Sequence, residues 1–394
     1  MSDNHPYLNF DEYIRQGEPS KRETAYAWGT AIGLQAVDGL KTSEYLNDLA
    51  RRNIEGEITM KEVDRLLDSY YESKIMHDVN DYNEKEADKV SRNIRKILIV
   101  KTFDFSANGY ISLHRRIFDG VFKHPGRLRE YDISKHEWVL EGDSIDYLNW
   151  EDLYRALDYD ITKEREFSFK GISQDDLIKH IANFASGIWQ IHAFGEGNTR
   201  TTAVFMNQYL RFLGFDVTND LFMKHSWYFR NALVRANYKN AVKGIDYSPV
   251  YLERFFRNLL LGEQWDLRSR YLHIHPTEEW SVQPNLATPT STPTSREQVP
   301  IKYPSSTHQV KNKFHTNNQN IIDLIKVVGD EEVSVKNMMM RIGLKDRVNF
   351  MNIYLNQAIA EGYVRMLYPQ SPRHPRQKYL LTVKGLSLYK EITR

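Results

Sequence analysis

Between residues 173 and 191, SQDDLIKHIANFASGIWQI returns an apolar side chain at Leu177, Ile181, Phe184, Ile188 and Ile191, the spacing of one helical face. Ser173 and Asp176 stand at capping-box spacing just ahead of it, which fixes where the helix starts. A second helix is predicted over TRTTAVFMNQYLRFLG, with Val204, Tyr209, Leu210 and Leu213 turned to a core and Gly214 as the cap. Nearer the N-terminus, SEYLNDLARRNIEGEIT opens on Ser43 and closes on Gly56. Thr59 and Glu62 then form another capping box leading into KEVDRLLDSYY, so this region reads as a helical hairpin with its turn at Glu55 to Thr59. The segment REYDISKHEWVLEGDSIDYL breaks the helical period: β-formers flank a Glu-Gly turn, which predicts a short β-hairpin. Residues 275–313 lose apolar periodicity altogether and are dominated by Pro, Thr and Ser, as a linker is. Beyond them NIIDLIKVVG, SVKNMMMRIG and DRVNFMNIYLNQAIAEG read as three short helices, and YVRMLYPQSPRHPRQKYLLTVKG as two strands joined by a basic, proline-containing loop. That is the layout of a winged helix-turn-helix domain. No internal repeat is present.

Composition narrows the classes. The chain has 394 residues, 41% hydrophobic and 27% charged, enough for two or three globular domains. Its 53 Lys and Arg against 52 Asp and Glu imply no chain-wide attraction to nucleic acid or an anionic membrane, so any basic surface has to be local. One such excess lies between residues 330 and 394, with eleven Lys and Arg against six Asp and Glu. With no cysteine, the chain has no disulfide, thiolate metal site or cysteine nucleophile. The first twenty residues lack the pattern of a signal peptide, and no apolar run approaches the roughly 18 residues of a membrane span. A cytoplasmic protein that does not enter the membrane is the expectation.

The chemistry concentrates in HAFGEGNTR, residues 192–200, between the two helices first described. Gly195, Gly197 and Asn198 allow a sharp turn, and the helix that follows aims unbonded N–H groups and its positive end at one point, as an anion site requires. Arg200 adds a bidentate donor for phosphate, and Glu196 an oxygen ligand for a divalent cation. His192 leaves the preceding helix as a candidate general base, and Phe194 is placed to lock the turn into the core. A His/Glu pair also suits zinc, but no second histidine stands at the spacing a zinc protease uses.

This stretch resembles the signature of the Fic (Fido) family, H-x-F-x-[D/E]-G-N-[G/K]-R-x-x-R, through His192, Phe194, Glu196, Gly197, Asn198 and Arg200. The resemblance spans roughly residues 95–260, with REYDISKHEWVLEGDSIDYL where such proteins carry a flap that docks the target segment. It implies a mainly α fold: a helical Fic-type bundle with a small β-hairpin flap, followed by the winged domain. The resulting division is an N-terminal helical region at 1–94, a catalytic domain at 95–274, a linker at 275–313 and the winged-helix domain at 314–394. It also implies AMP transfer from ATP to a Ser, Thr or Tyr hydroxyl of a target protein, with Mg2+. In that scheme His192 deprotonates the hydroxyl, Glu196 holds magnesium on the α and β phosphates, and Phe194, Gly195, Gly197, Asn198 and Thr199 form the nucleotide loop. Arg200 binds the distal phosphates. Two positions depart from the pattern: Thr199 stands where Gly or Lys is usual, and Ala203 replaces the second arginine, leaving Arg211, Arg230 or Arg235 as spatial substitutes.

Upstream, ARRNIEGEIT resembles the inhibitory helix [S/T]-x-x-x-E-[G/N] of Fic proteins, matching at Glu55 and Gly56 but carrying Arg51 at the first position. The resemblance makes Glu55 the carboxylate that blocks the distal-phosphate position. Alternative functions on the same loop are transfer of phosphate or another nucleotide moiety, or removal of AMP. An alternative of another kind is a DNA-binding transcriptional regulator acting through Arg341, Lys345, Arg347, Arg373, Arg376 and Lys378. The expected partners are therefore a target protein, DNA or protein at the winged helix, and a second copy of the chain in a homo-oligomer.

Overall fold

The computed structural model describes residues 18–100, 102–217, 221–275, 316–369, 371–372 and 374–393. The expected linker, apart from His275, and the side chain of Arg373 lie outside them. Helix α1 (Pro19–Gly33) runs into a 3-10 turn (Leu34–Asp38) and lies along α4 (Val79–Ile99). Between them α2 (Glu44–Glu55) and α3 (Met60–Ser73) form the helical hairpin that the sequence predicts. Ser43 accepts the Leu46 amide, Gly56 takes φ +83° at the C-cap, and the Thr59/Glu62 capping box closes in both directions. The hairpin has its own small core, in which Trp28 of α1 meets Leu46, Leu49, Ile54, Val63 and Leu67. Asp88 ties it to α4: this buried carboxyl accepts the Ser43 amide, the Ser43 hydroxyl and the Tyr71 hydroxyl at 2.8, 2.5 and 2.7 Å.

The central bundle consists of α5 (Ala107–Ile117), α6 (Leu153–Glu166), α7 (Gln174–Ile191), α8 (Asn198–Phe212), α9 (Ser226–Asn237) and α10 (Val250–Phe256). The predicted apolar face of α7 is buried in full, and so are Val204, Tyr209, Leu210 and Leu213 of α8 and its C-cap. Gly214, one residue past that cap, takes the left-handed conformation with φ +96°.

The flap differs from expectation. Residues 129–148 carry no paired strands; the two arms meet at a 3-10 turn (Trp138–Leu140), held by Glu137 N–H on the Asp143 carbonyl at 3.0 Å and by Gly142 N–H on the Glu137 carbonyl at 3.1 Å. The reason lies in the side chains. Across the arms the Lys135 N–H goes to the Ser144 hydroxyl at 3.1 Å, where a ladder would use a carbonyl, and within the flap Tyr147 donates to Glu137, which pairs with Arg230 of the bundle.

The C-terminal unit keeps the predicted order: α11 (Gln319–Val328), α12 (Val335–Ile342), α13 (Arg347–Phe350) continuing through a π-turn (Met351–Leu355) into α14 (Asn356–Ala360), then β1 (Val364–Met366) and β2 (Tyr379–Leu381), antiparallel with Val364 opposite Leu381. A helix not foreseen in the sequence, α15 (Val383–Ile392), follows directly, its N-terminus capped by Thr382. Val333 also bridges to Tyr379. The buried residues of this unit are continuous with the core of the central bundle.

Candidate active site

Helix α7 ends on His192, which takes a left-handed backbone conformation at φ +49°, unusual for a residue with a Cβ and costing about 1–3 kcal/mol where it occurs. Arg129, whose side chain is fully buried, holds this conformation. Its Nε donates to the His192 carbonyl at 2.9 Å, and its terminal nitrogens donate to the carbonyls of Tyr131, at 2.6 Å, and Leu148. One guanidinium thus pins both ends of the flap to the end of α7. The imidazole of His192 packs against the Tyr147 ring at 4.2 Å and edge-on to Trp189 at 5.5 Å. It is 2% exposed, and neither ring nitrogen has a hydrogen-bond partner among the described residues. Burial holds its pKa well below the ordinary histidine value, and Lys135, Arg129 and Arg230 lower it further. The ring is therefore neutral at pH 7 and able to accept a proton.

The turn after it is built from inside. Asn198 closes the loop on Phe194, its Oδ1 accepting the Phe194 amide at 3.0 Å and its Nδ2 donating to the Phe194 carbonyl at 2.7 Å. Phe194 stacks on His114 at 3.7 Å. His114 Nδ1 accepts the Gly126 amide at 2.8 Å, which leaves the proton on Nε2 for the Glu196 carbonyl at 3.1 Å. Gly197 stands at φ +73°, where a Cβ would meet the Phe118 ring at 2.2 Å, so both conformation and space exclude a side chain. A Cβ at Gly195 would meet the Tyr131 hydroxyl at 2.8 Å. Helix α8 starts immediately with no side-chain cap, so the N–H groups of its first turn are left for an anion.

The remaining predicted residues fall in different settings. Glu196 is exposed at the rim and forms no ion pair among the described residues, so it is available to a cation. Those residues contain no cluster of three or more His, Asp or Glu that would hold a metal unaided, so a divalent ion here needs further oxygens from its substrate. Thr199 accepts the Trp189 indole N–H at 2.9 Å, which gives the departure from Gly or Lys a structural role.

Arg200 is not open to phosphate. Its side chain is 2% exposed, with Nε 2.8 Å from Asp38, one terminal nitrogen 2.8 Å from Glu86, the other 3.0 Å from Gln35, and the plane over Phe118 at 4.8 Å. Glu55, the residue expected to act as the brake, pairs with Lys21 at 2.9 Å at the turn of the N-terminal hairpin. The carboxylates on the motif arginine come from Asp38 and Glu86, which no local motif marks.

Of the three substitutes for the missing second arginine, Arg230 is the one near the site. It pairs with the fully buried Glu137 of the flap at 2.6 Å and shapes the field at His192. Arg211 bonds the Leu98 carbonyl, and Arg235 the Ser248 hydroxyl. Sequence reading missed Lys135, a half-buried flap cation whose pKa is lowered by burial and which lies in the field of Asp38, Arg230, Glu137 and Glu196. It also missed Arg129, Glu137 and Tyr147. The inward alternation Lys135, Glu137 in the flap was the one available signal.

Residues 104–210, which contain the whole loop, match the Fic/DOC family, and residues 319–382 match the domain described as Filamentation induced by cAMP protein Fic-like, C-terminal domain. A crystal structure of a Fic family protein from Desulfovibrio desulfuricans G20 aligns over 94% of this chain and 90% of its own, at 16% identity and a TM-score of 0.40. No curated protein matches. The loop thus lies in a Fic/DOC family domain, and the distal unit in a Fic-like C-terminal domain.

Proposed function

We propose that the protein is an adenylyltransferase that moves AMP from ATP to a Ser, Thr or Tyr hydroxyl of a target protein. The observation that carries this reading is His192: a neutral, buried imidazole with both nitrogens unpartnered, at the mouth of a glycine turn that opens onto an uncapped helix end. The imidazole takes the hydroxyl proton as the oxygen bonds to the α-phosphorus. The bond from that phosphorus to the bridging oxygen breaks, and pyrophosphate leaves. The α8 amides, with Gly197 keeping the backbone close, face the charge on the phosphate. Glu196 would hold Mg2+ together with phosphate oxygens, and the ion's part is to neutralise charge on the donor.

Regulation by an internal carboxylate fits the site with a different residue from the one expected. Asp38 and Glu86 occupy the Arg200 guanidinium, so distal phosphates compete with them, and Lys135 and Arg230 are the cations closest in kind to the missing arginine. Regulation of DNA has less support, because Arg341 and Lys378 of the C-terminal unit already face Glu331 and Glu332 at 2.9 and 3.4 Å.

The test uses Mg2+ and ATP labelled at the α or the γ phosphate, with wild type, His192→Ala, Glu55→Gly and Asp38→Ala compared on a lysate. Protein labelled from the α position only, and not by His192→Ala, supports AMP transfer. Label from γ alone means phosphate transfer, and no label from any variant rejects both.

A further inference from the structure

A cavity of about 1020 Å3 opens between the segment after α1 and the start of α9, and none of residues 192–200 lines it. Its volume is at the upper end of ordinary small-molecule sites. The walls divide by chemistry. Ile32, Ala36, Met223 and Leu267 give an apolar floor, and Trp227, 37% exposed, adds an aromatic face. Around the rim stand Lys41, Lys224, Arg268 and Arg270 against one carboxylate, Glu44. Arg268 is paired with Asp266 at 2.9 Å, whereas Lys41 and Arg270 form no ion pair among the described residues. The first turn of α9, a helix of 12 residues whose N-cap provides no side-chain bond, also faces the space through Ser226, Trp227 and Tyr228. Apolar floor, aromatic wall and cationic rim together suit a molecule with a flat apolar body and a negative group.

Two direct links join this cavity to the candidate active site. Gly39 to Thr42 form part of its wall, and the preceding residue, Asp38, carries the carboxylate on Arg200. On the other side, Trp227 lies under the guanidinium of Arg230 at 5.3 Å, and Arg230 holds Glu137 of the flap.

We propose that this cavity is a second binding site, for a small aromatic anion, and that its occupant changes how the 192–200 loop binds nucleotide. The second half rests on the proposed function; the first does not. The probe is 1-anilinonaphthalene-8-sulfonate, titrated by fluorescence into the intact chain. One saturable site is expected, with affinity lowered tenfold or more by Ala36→Trp, which fills the floor, and by Lys41→Ala with Arg270→Ala, which strips the rim. Affinity is expected to be unchanged in His192→Ala. Circular dichroism checks that each variant is folded, and the rim variant stands in if Ala36→Trp is not. Equal affinity in the folded cavity variants, or loss of binding in His192→Ala, overturns the site. With probe saturating, the Kd for magnesium ATP is expected to shift at least threefold. An unchanged Kd overturns the coupling alone, and absence of nucleotide binding with or without probe counts against the proposed function alone.

Discussion

Thr199 shows how a departure from a family pattern is absorbed by one residue. The buried indole N–H of Trp189 has Thr199 Oγ1 as its acceptor, so Thr199→Gly, which restores a residue usual in the family, strands that donor and adds a helical glycine. A loss of about 2–3 kcal/mol is expected, with Thr199→Ser recovering most of it; urea unfolding of both variants measures this. Two buried groups set opposite pH dependences. His114, lowered to about 4 mainly by burial, is neutral in the fold while the unfolded chain takes up its proton near pH 6.5. Its contribution is intact above pH 6.5 and falls by up to about 3 kcal/mol as pH drops to 4. Asp88, raised to about 6 by burial, behaves in reverse: its contribution is full below pH 4 and is lost, by a similar amount, as pH rises through 6. Asp88→Asn removes only the second effect. The variant should therefore lose more stability than wild type between pH 7 and pH 4, and parallel profiles of urea midpoint would show that Asp88 does not titrate as its burial implies.

At the scale of elements, the parts read correctly from sequence are those whose cause is local. Ser43, Thr59 with Glu62, and Ser173 cap helices through groups three residues away, and the apolar faces of α7 and α8 repeat within a few turns. The His192 loop is legible for the same reason, since its glycines, asparagine and base lie in nine residues. What escaped was long-range. Arg200 meets Gln35 across 165 residues and Glu86 across 114, and the Lys21 to Glu55 pair spans 34. The flap's inward residues were hidden similarly, because Glu137 owes its burial to Arg230 on α9. The 3-10 turn after α1 and helix α4 therefore act on the site as elements: together they present two carboxylates to one guanidinium. Asp38→Ala and Glu86→Gln should each tighten magnesium ATP binding about five- to tenfold by freeing Arg200, whereas Glu55→Gly should leave it unchanged. Arg200→Ala should instead destabilise the fold by about 1–2 kcal/mol, because a buried side chain and its hydrogen bonds are lost while Asp38 and Glu86 stay within reach of water. Calorimetric titration of the first three variants and unfolding of the fourth decide between a competing clamp and a purely structural anchor.

For the whole molecule, α8 is the beam that joins the chemistry to the C-terminal unit. Its N-terminal turn carries the anion loop, and its far end, about 22 Å along fifteen residues, meets the distal domain. The contact there is backbone on backbone. Gly214 and Gly362 lie in the left-handed region at φ +96° and +75°; a Cβ on Gly362 would meet the Gly214 carbonyl oxygen at 2.3 Å, and one on Gly214 the Gly362 carbonyl oxygen at 2.6 Å. Side chains add to this contact: Thr382 stands against Gly214, Lys390 donates to the Gly171 carbonyl in the loop before α7, and the unit's buried residues join the core of the bundle, whereas Lys170 and Asp330, 3.9 Å apart at the exposed surface, add little. The docking thus includes two positions where no side chain fits. Gly362→Val should push the C-terminal unit off the end of α8 while leaving the anion loop in place, because His192, Asn198 and Phe194 are held by Arg129 and His114, which take no part in that contact. The expected result is that one cooperative thermal transition becomes two, with magnesium ATP binding within about twofold of wild type. A single transition with lost nucleotide binding would mean that α8 transmits the displacement along its length, and that the distal unit is part of the site's support.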